Sequence, residues 1–183
     1  MNDKLKSYLV ANDLKYINRF GLIYNMLISI RGRAVISVYY LAHNDDIFCF
    51  FLRRMLKVKY HFEVGKNVDL GIGLILHHPY NIIIDSNVSI GDNCQIDQNV
   101  TIGGNMKKFI DNGISLQTRP IIGHNVILCA SCVVAGPIMV NDNCIIGANA
   151  TLTFNIEEGT IVSNVNKVSE KKIKVNNGSY KIN

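Results

Sequence analysis

At 183 residues the chain has room for one domain plus a modest appendage, and none for two full-sized domains. With 48% hydrophobic and 18% charged residues it builds a core, which excludes a disordered chain. The net charge of +5 is uneven: residues 1–60 hold ten basic and four acidic side chains, the tail from Asn166 adds five lysines against Glu170, and the middle is acidic.

The N-terminal segment shows no secretory n-region or cleavage site, and the five cysteines are an odd count, so reduced thiols in a cytoplasm are expected. Apolar residues fall at helix-like spacing over residues 1–60, for example Leu14, Ile17, Phe20, Leu22 and Tyr24, then Val35, Val38, Tyr39 and Leu41. Two to four short helices are expected there. The apolar stretch from Ala34 to Leu52 is broken by His43, Asn44, Asp45 and Asp46, which argues against a membrane-spanning helix. The basic excess, including Arg31, Arg33, Arg53, Arg54, Lys57 and Lys59, suits either a solvated cap or peripheral contact with the inner face of an anionic membrane. Trp is absent and aromatics are 8%, so nucleobase stacking is poorly served and no nucleic acid partner is expected.

From Val64 the sequence repeats every six residues. Val64, Leu70 and Leu76 open the first units; Ile84, Ile90, Ile96 and Ile102 follow after a two-residue slip; Ile122, Leu128, Val134, Val140 and Ile146 resume after an insertion. A second, small apolar residue follows four places later, as at Val68, Leu74, Tyr80, Val88, Cys94 and Val100. A period of six matches neither a helix nor one long strand. It matches short strands separated by turns and stacked as a β-helix, with Gly, Asp and Asn after the opening residue read as turn formers. The helices would then cap one open end of the coil.

These residues resemble the hexapeptide-repeat acyltransferases. Gly73-Leu74-Ile75-Leu76-His77-His78-Pro79, the slip to Ile84, and Val100-Thr101-Ile102-Gly103-Gly104 look like the serine acetyltransferase branch, which includes acetyltransferases of bacterial surface polysaccharides. The resemblance implies a mainly β fold, a left-handed parallel β-helix of about four coils spanning 61–162, with an extruded loop over 103–121. A helical cap (1–60) would precede it and a C-terminal tail (163–183) would follow. It also implies a homotrimer and acetyl-CoA as co-substrate, with no metal.

By the same resemblance His78 is the general base, and Glu63, fifteen residues earlier, stands where the family has an Asp that orients the imidazole. A His with a pKa near neutrality can take the proton of a hydroxyl as it attacks a thioester. Gly103 and Gly104 would let backbone approach the coenzyme, and Arg119 would meet its phosphates, along with Lys107 and Lys108. Ala130 and Ala148 match small residues lining the family's coenzyme groove, and Lys167 stands at the family's terminal coenzyme contact. Cys129-Ala130-Ser131-Cys132 has CxxC spacing, but both cysteines fall on repeat positions and no second pair accompanies them. His77, His78 and His124 lack the HxxxxH spacing of a γ-type carbonic anhydrase; a silent scaffold is the other alternative.

Serine acetyltransferases hold the substrate ammonium with an Asp just before the base, where this chain has His77. His77 and Asn81 are therefore read as hydrogen-bonding groups for a neutral acceptor. The expected activity is an acetyl-CoA-dependent O-acetyltransferase acting on a sugar hydroxyl of a bacterial surface polysaccharide or its precursor, with L-serine as the alternative acceptor.

Overall fold

A computed structural model describes residues 3–14, 19–106, 108–111, 116–163, 168–170, 174–176 and 179–181. Four helices come first: α1 (Asp3–Ala11), α2 (Arg19–Leu27), α3 (Ile30–His43) and α4 (Ile47–Tyr60). Ser29 starts α3 by accepting the Gly32 N–H, and the Asp46 carboxylate starts α4 by accepting those of Phe48 and Cys49. His61, in the left-handed region, ends α4.

From Glu63 the chain winds as a parallel β-helix with three short strands per turn. The first turn is β1 (Glu63–Val64), β2 (Asp69–Leu70) and β3 (Ile75–Leu76); the second is β4 (Ile83–Ile84), β5 (Ser89–Ile90) and β6 (Gln95–Ile96). The third begins with β7 (Thr101–Gly103), extrudes the hairpin β8 (Ile110–Asp111) and β9 (Leu116–Gln117), and resumes with β10 (Ile121–Ile122) and β11 (Ile127–Leu128). The fourth is β12 (Val133–Ala135), β13 (Met139–Val140) and β14 (Ile145–Ile146). A fifth follows: β15 (Thr151–Leu152), Ile156 bridged to Val140, and β16 (Thr160–Val162). The strands stack in register into three parallel sheets, so that Val64, Ile84, Ile102, Val134 and Leu152 form one interior column. Beyond the coil, β17 (Val168–Glu170) pairs antiparallel with β16, and β18 (Lys174–Asn176) forms a hairpin with β19 (Ser179–Lys181).

Three expectations change. The coil has five turns rather than about four, because the interval between the interior residues Leu152 and Ile156 contracts to four and hides the last turn. Tyr80 is not a core residue: the two extra residues of the slip bulge outward, leaving Tyr80 39% exposed while Ile82 fills the interior at 0%. The left-handed turn conformation does not fall on the residue after each opening aliphatic. It falls two places later, on Asn67, Asn87, Asn93, Asn99, Asn125, Ser131, Asn143 and Asn149, at φ of 53 to 62°. Where glycine follows the aliphatic, a close approach between turns can be the reason. A Cβ at Gly91 would stand 2.6 Å from the Gly123 carbonyl oxygen on the next turn.

The helices cover the free edge of the first turn. Tyr8 Oη donates to the Gly71 carbonyl (2.5 Å), and burial, with Tyr39 next, holds its phenol pKa well above the usual value. Asn12 Nδ2 donates to Leu74 O (2.7 Å) while its Oδ1 accepts from the Leu76 N–H (2.8 Å). Arg53 Nη1 donates to the carbonyls of Val64 and Gly65. Backbone groups that a further turn would have paired are thus paired by side chains.

Two outcomes follow from this packing. Gly91→Ala should lower stability by about 1–3 kcal/mol, read as a fall in the thermal midpoint, because the obstructing atom is backbone that cannot rotate away. Cys94 and Cys132 lie at 0% exposure, and burial pushes each thiol up to about 12. Both stay protonated near neutral pH, so iodoacetamide should modify them far more slowly in the native than in the unfolded protein. Because the folded pKa is raised, their contribution to stability is whole below about pH 8.5 and declines as the pH rises above it.

Candidate active site

The coil has three corners, and the one joining the third sheet to the first of the next turn gathers His77, His78, Asn81, Ala130 and Ala148. It is built by residues 77–82, 97–100, 129–132 and 147–150 on successive turns. Backbone bonds stack them: Asn99 N to Tyr80 O, Ser131 N to Gln98 O, and Asn149 N to Ala130 O, each 3.0 Å. His77, His78, Asn81, Ala130 and Ala148, scattered over seventy residues of sequence, therefore share one edge of the prism. Side chains rise along it as a ladder, Asn81 Nδ2 donating to Asn99 Oδ1 (3.0 Å) and Asn99 Nδ2 to Ser131 Oγ (3.4 Å).

His77 and His78 are both exposed in the bulge of the slip, held by Pro79, which is buried, and by the Tyr80 N–H on the His78 carbonyl (2.7 Å). Arg31, in the first turn of α3, reaches this corner. Its Nε donates to Leu76 O (2.8 Å), and Nη2 lies 3.2 Å from His77 Nδ1. A guanidinium only donates, so His77 Nδ1 accepts and its proton sits on Nε2.

Glu63 lies on the outer face of β1, 49% exposed in its side chain, and pairs with Lys57 Nζ at 2.9 Å. No hydrogen bond joins Glu63 to His78 among the described residues. The expected orienting pair is not formed here, because the last turn of α4 sets Lys57 beside β1. Asn81 differs too. Its backbone is left-handed (φ 54°) and its amide donates to the ladder, so it serves the corner before any acceptor.

Gly103, Gly104 and Arg119 meet at the neighbouring corner, where the extruded hairpin leaves and returns. Arg119 Nε lies 2.8 Å from Asp85 Oδ2, and a Cβ on Gly104 would stand 2.6 Å from Arg119 Nη1. The guanidinium expected at the coenzyme phosphates thus folds over Gly104 onto Asp85. Gln117 donates to the Arg119 carbonyl (3.2 Å), fastening the hairpin's base. Lys107 and Lys167 lie outside the described residues.

Two residues of this region were not placed at the site from sequence. Arg31 is forty-six positions from His77, and no repeat links a helix to the coil. Asp85 follows an opening aliphatic and read as an ordinary turn former.

Residues 119–153 match the bacterial transferase hexapeptide model, described as six repeats. A putative serine acetyltransferase of Schizosaccharomyces pombe (strain 972 / ATCC 24843) is 27% identical over 134 residues, covering 70% of this chain and 47% of its own length. The chain spans about half the length of that relative. The native serine acetyltransferase 1 of Entamoeba histolytica superposes with a TM-score of 0.66 at 22% identity, over 88% of this chain and 62% of that one. A serine acetyltransferase in complex with CoA gives 0.58 at 18%, over 86% and 63%. The chain is a hexapeptide-repeat chain similar to serine acetyltransferases, and its fold is a left-handed parallel β-helix with a short helical N-terminal region.

The Arg119–Asp85 pair predicts a local effect. Both side chains are partly exposed, so Asp85→Asn should change stability by under about 1 kcal/mol. Limited trypsin digestion should nonetheless cut the loop near Lys108 faster once its base is loosened.

Proposed function

We propose that this protein is an acetyl-CoA-dependent O-acetyltransferase with His78 as general base. The observation that carries this is the single corner holding exposed His78 beside a column whose side chains shrink to methyl groups at Ala130 and Ala148. The small column fits an extended pantetheine arm lying on the backbone, and acetyl-CoA supplies the activated acyl group. His78 takes the proton of the acceptor hydroxyl as its oxygen attacks the thioester carbonyl, then returns a proton to the departing sulfur. Gly103 and Gly104 leave room for close approach at the second corner. A phosphate at Arg119 would share the guanidinium with Asp85, whose Oδ2 faces Nε, and His78 at Glu63 would share the carboxylate with Lys57, which faces Oε1. One prism edge supplies one wall, so a homotrimer in which a neighbour supplies the other is part of this reading, as is a cytoplasmic site of action.

The relatives are serine acetyltransferases, which favours L-serine as the acceptor over the polysaccharide hydroxyl expected from the sequence. One observation keeps a sugar hydroxyl as a second reading. Arg31 sets a cation 3.2 Å from His77, next to the base, where a substrate ammonium would want a carboxylate.

Replacing His78 by Ala should lower CoA thiol release by at least about 10²-fold with the thermal midpoint unchanged; full activity would remove the mechanism. Glu63→Gln should cost less, since Glu63 is already paired elsewhere. The acceptor is decided by kcat/KM measured side by side for L-serine and a panel of sugars. A value for L-serine of about 10⁴ M⁻¹s⁻¹ or more marks a true substrate. A far lower value, raised by His77→Asp and exceeded by a sugar, marks the second reading.

A further inference from the structure

Helix α4 has two faces, and only one of them serves the fold. Cys49, Leu56 and Tyr60 are buried against α3 and the first turn of the coil. The opposite stripe shows Ile47 at 68% exposure, Phe48 at 64%, Phe50 at 62%, Phe51 at 59% and Val58 at 68%. Basic residues are interleaved with this stripe: α4 carries Arg53, Arg54, Lys57 and Lys59 and no acidic residue. An open cleft of about 470 Å³ lies between Phe50, Arg53, Arg54, Lys57, Val58 and His61. The helix is also too short and too charged to cross a bilayer.

The geometry points to the exposed face of α4 as a docking surface for an anionic lipid bilayer. Aromatic and aliphatic side chains on one side of a helix, with cations along their border, are what a helix lying in the headgroup plane presents. The rings enter the acyl boundary, and the long Lys and Arg stems reach back to phosphates. The charge argues against a second copy of the same face. A two-fold pairing would set Arg54, Lys57 and Lys59 against their own copies, with Glu63 answering only Lys57 and Arg53 held by the Val64 and Gly65 carbonyls. An anionic surface answers all of them at once.

A neighbouring helix is tied to the C-terminal end of α4 through its buried side. Arg33 Nε donates to Met26 O (2.6 Å), Nη2 donates to Leu27 O, and Nη1 donates to Tyr60 Oη (3.2 Å). One guanidinium therefore joins the C-terminal ends of α2 and α4, where Leu27 and Ile28 are 68% and 64% exposed. The same end of α4 adjoins the His78 corner, since Tyr60 O accepts the Asn81 N–H (3.0 Å). On the reading proposed above, docking sets the acceptor site at the lipid–water boundary.

Co-sedimentation of the full chain with phosphatidylcholine vesicles, with and without phosphatidylglycerol, tests this without an activity readout. Binding should require phosphatidylglycerol and weaken as salt rises. The double variant Phe50→Ser/Phe51→Ser and the single variant Arg54→Glu should each lower partitioning by about tenfold or more, with unchanged thermal midpoint and mass. Absence of binding to anionic vesicles at low salt would overturn the inference. So would binding that both variants leave intact, or a fall in mass by light scattering in Phe50→Ser/Phe51→Ser, which would make a second copy the occupant.

Discussion

The whole coil depends on in-register backbone pairing between successive turns. Most strands of the coil contribute only two residues, one side chain outside and one inside, so each depends chiefly on the turns above and below. Such a stack is satisfied everywhere but at its ends. At the N-terminal end the carbonyls of Val64, Gly65, Gly71, Leu74 and Leu76 face away from the second turn, and Arg53, Tyr8, Asn12 and Arg31 reach them from the helices. The helical segment is thus the missing neighbour of the first turn. This need also shapes the candidate site: Arg31 comes to the Leu76 carbonyl as part of the cap, and its remaining nitrogens arrive beside His77.

How much of this was legible in the sequence follows from what periodicity can carry. The opening aliphatics repeat because each fills one of three interior columns in turn, so the β-helix could be read without a structure. The fifth turn could not, because Leu152, Ile156 and Val162 continue the three columns while breaking the interval. The asparagines could have been read: an Asn three places after so many opening residues is the mark of a left-handed corner, where its short amide tolerates positive φ and bonds the next rung. Of the site, the corner column followed from the repeat, since residues one turn apart must stack. What did not follow were pairings made by long side chains across elements, Arg31 with His77, Lys57 with Glu63 and Arg119 with Asp85. Their reach has no period.

Those three pairings share a consequence. Each engages a charged residue with a local partner, and two of them involve groups whose expected task is elsewhere. Glu63 and Arg119 are partly exposed ion pairs of the kind worth little in water. Such pairs exchange partners at small cost when a stronger one arrives, such as a coenzyme phosphate for Arg119 or an imidazolium for Glu63. The Arg31–His77 contact is different, because Arg31 is also fixed through Leu76 to the coil. It is the pairing least free to rearrange, which makes the charge beside the base the most distinctive feature of this corner.

The exposed aromatics of α4 belong to the same balance between fold and use. The cap needs a helix there, and Cys49, Leu56 and Tyr60 satisfy that need from one face. Nothing in the coil requires phenylalanine at Phe48, Phe50 and Phe51, where a polar residue would propagate the helix as well and stay better hydrated. Among the described residues, the cations spaced among them lack local acids, apart from Lys57 with Glu63. A helix selected only to close a β-helix would bury its rings or omit them. On the inference drawn above, rings and cations kept together on the outward face suit an apolar, negatively charged surface, while the C-terminal end of the same helix adjoins the His78 corner through Tyr60 and Asn81.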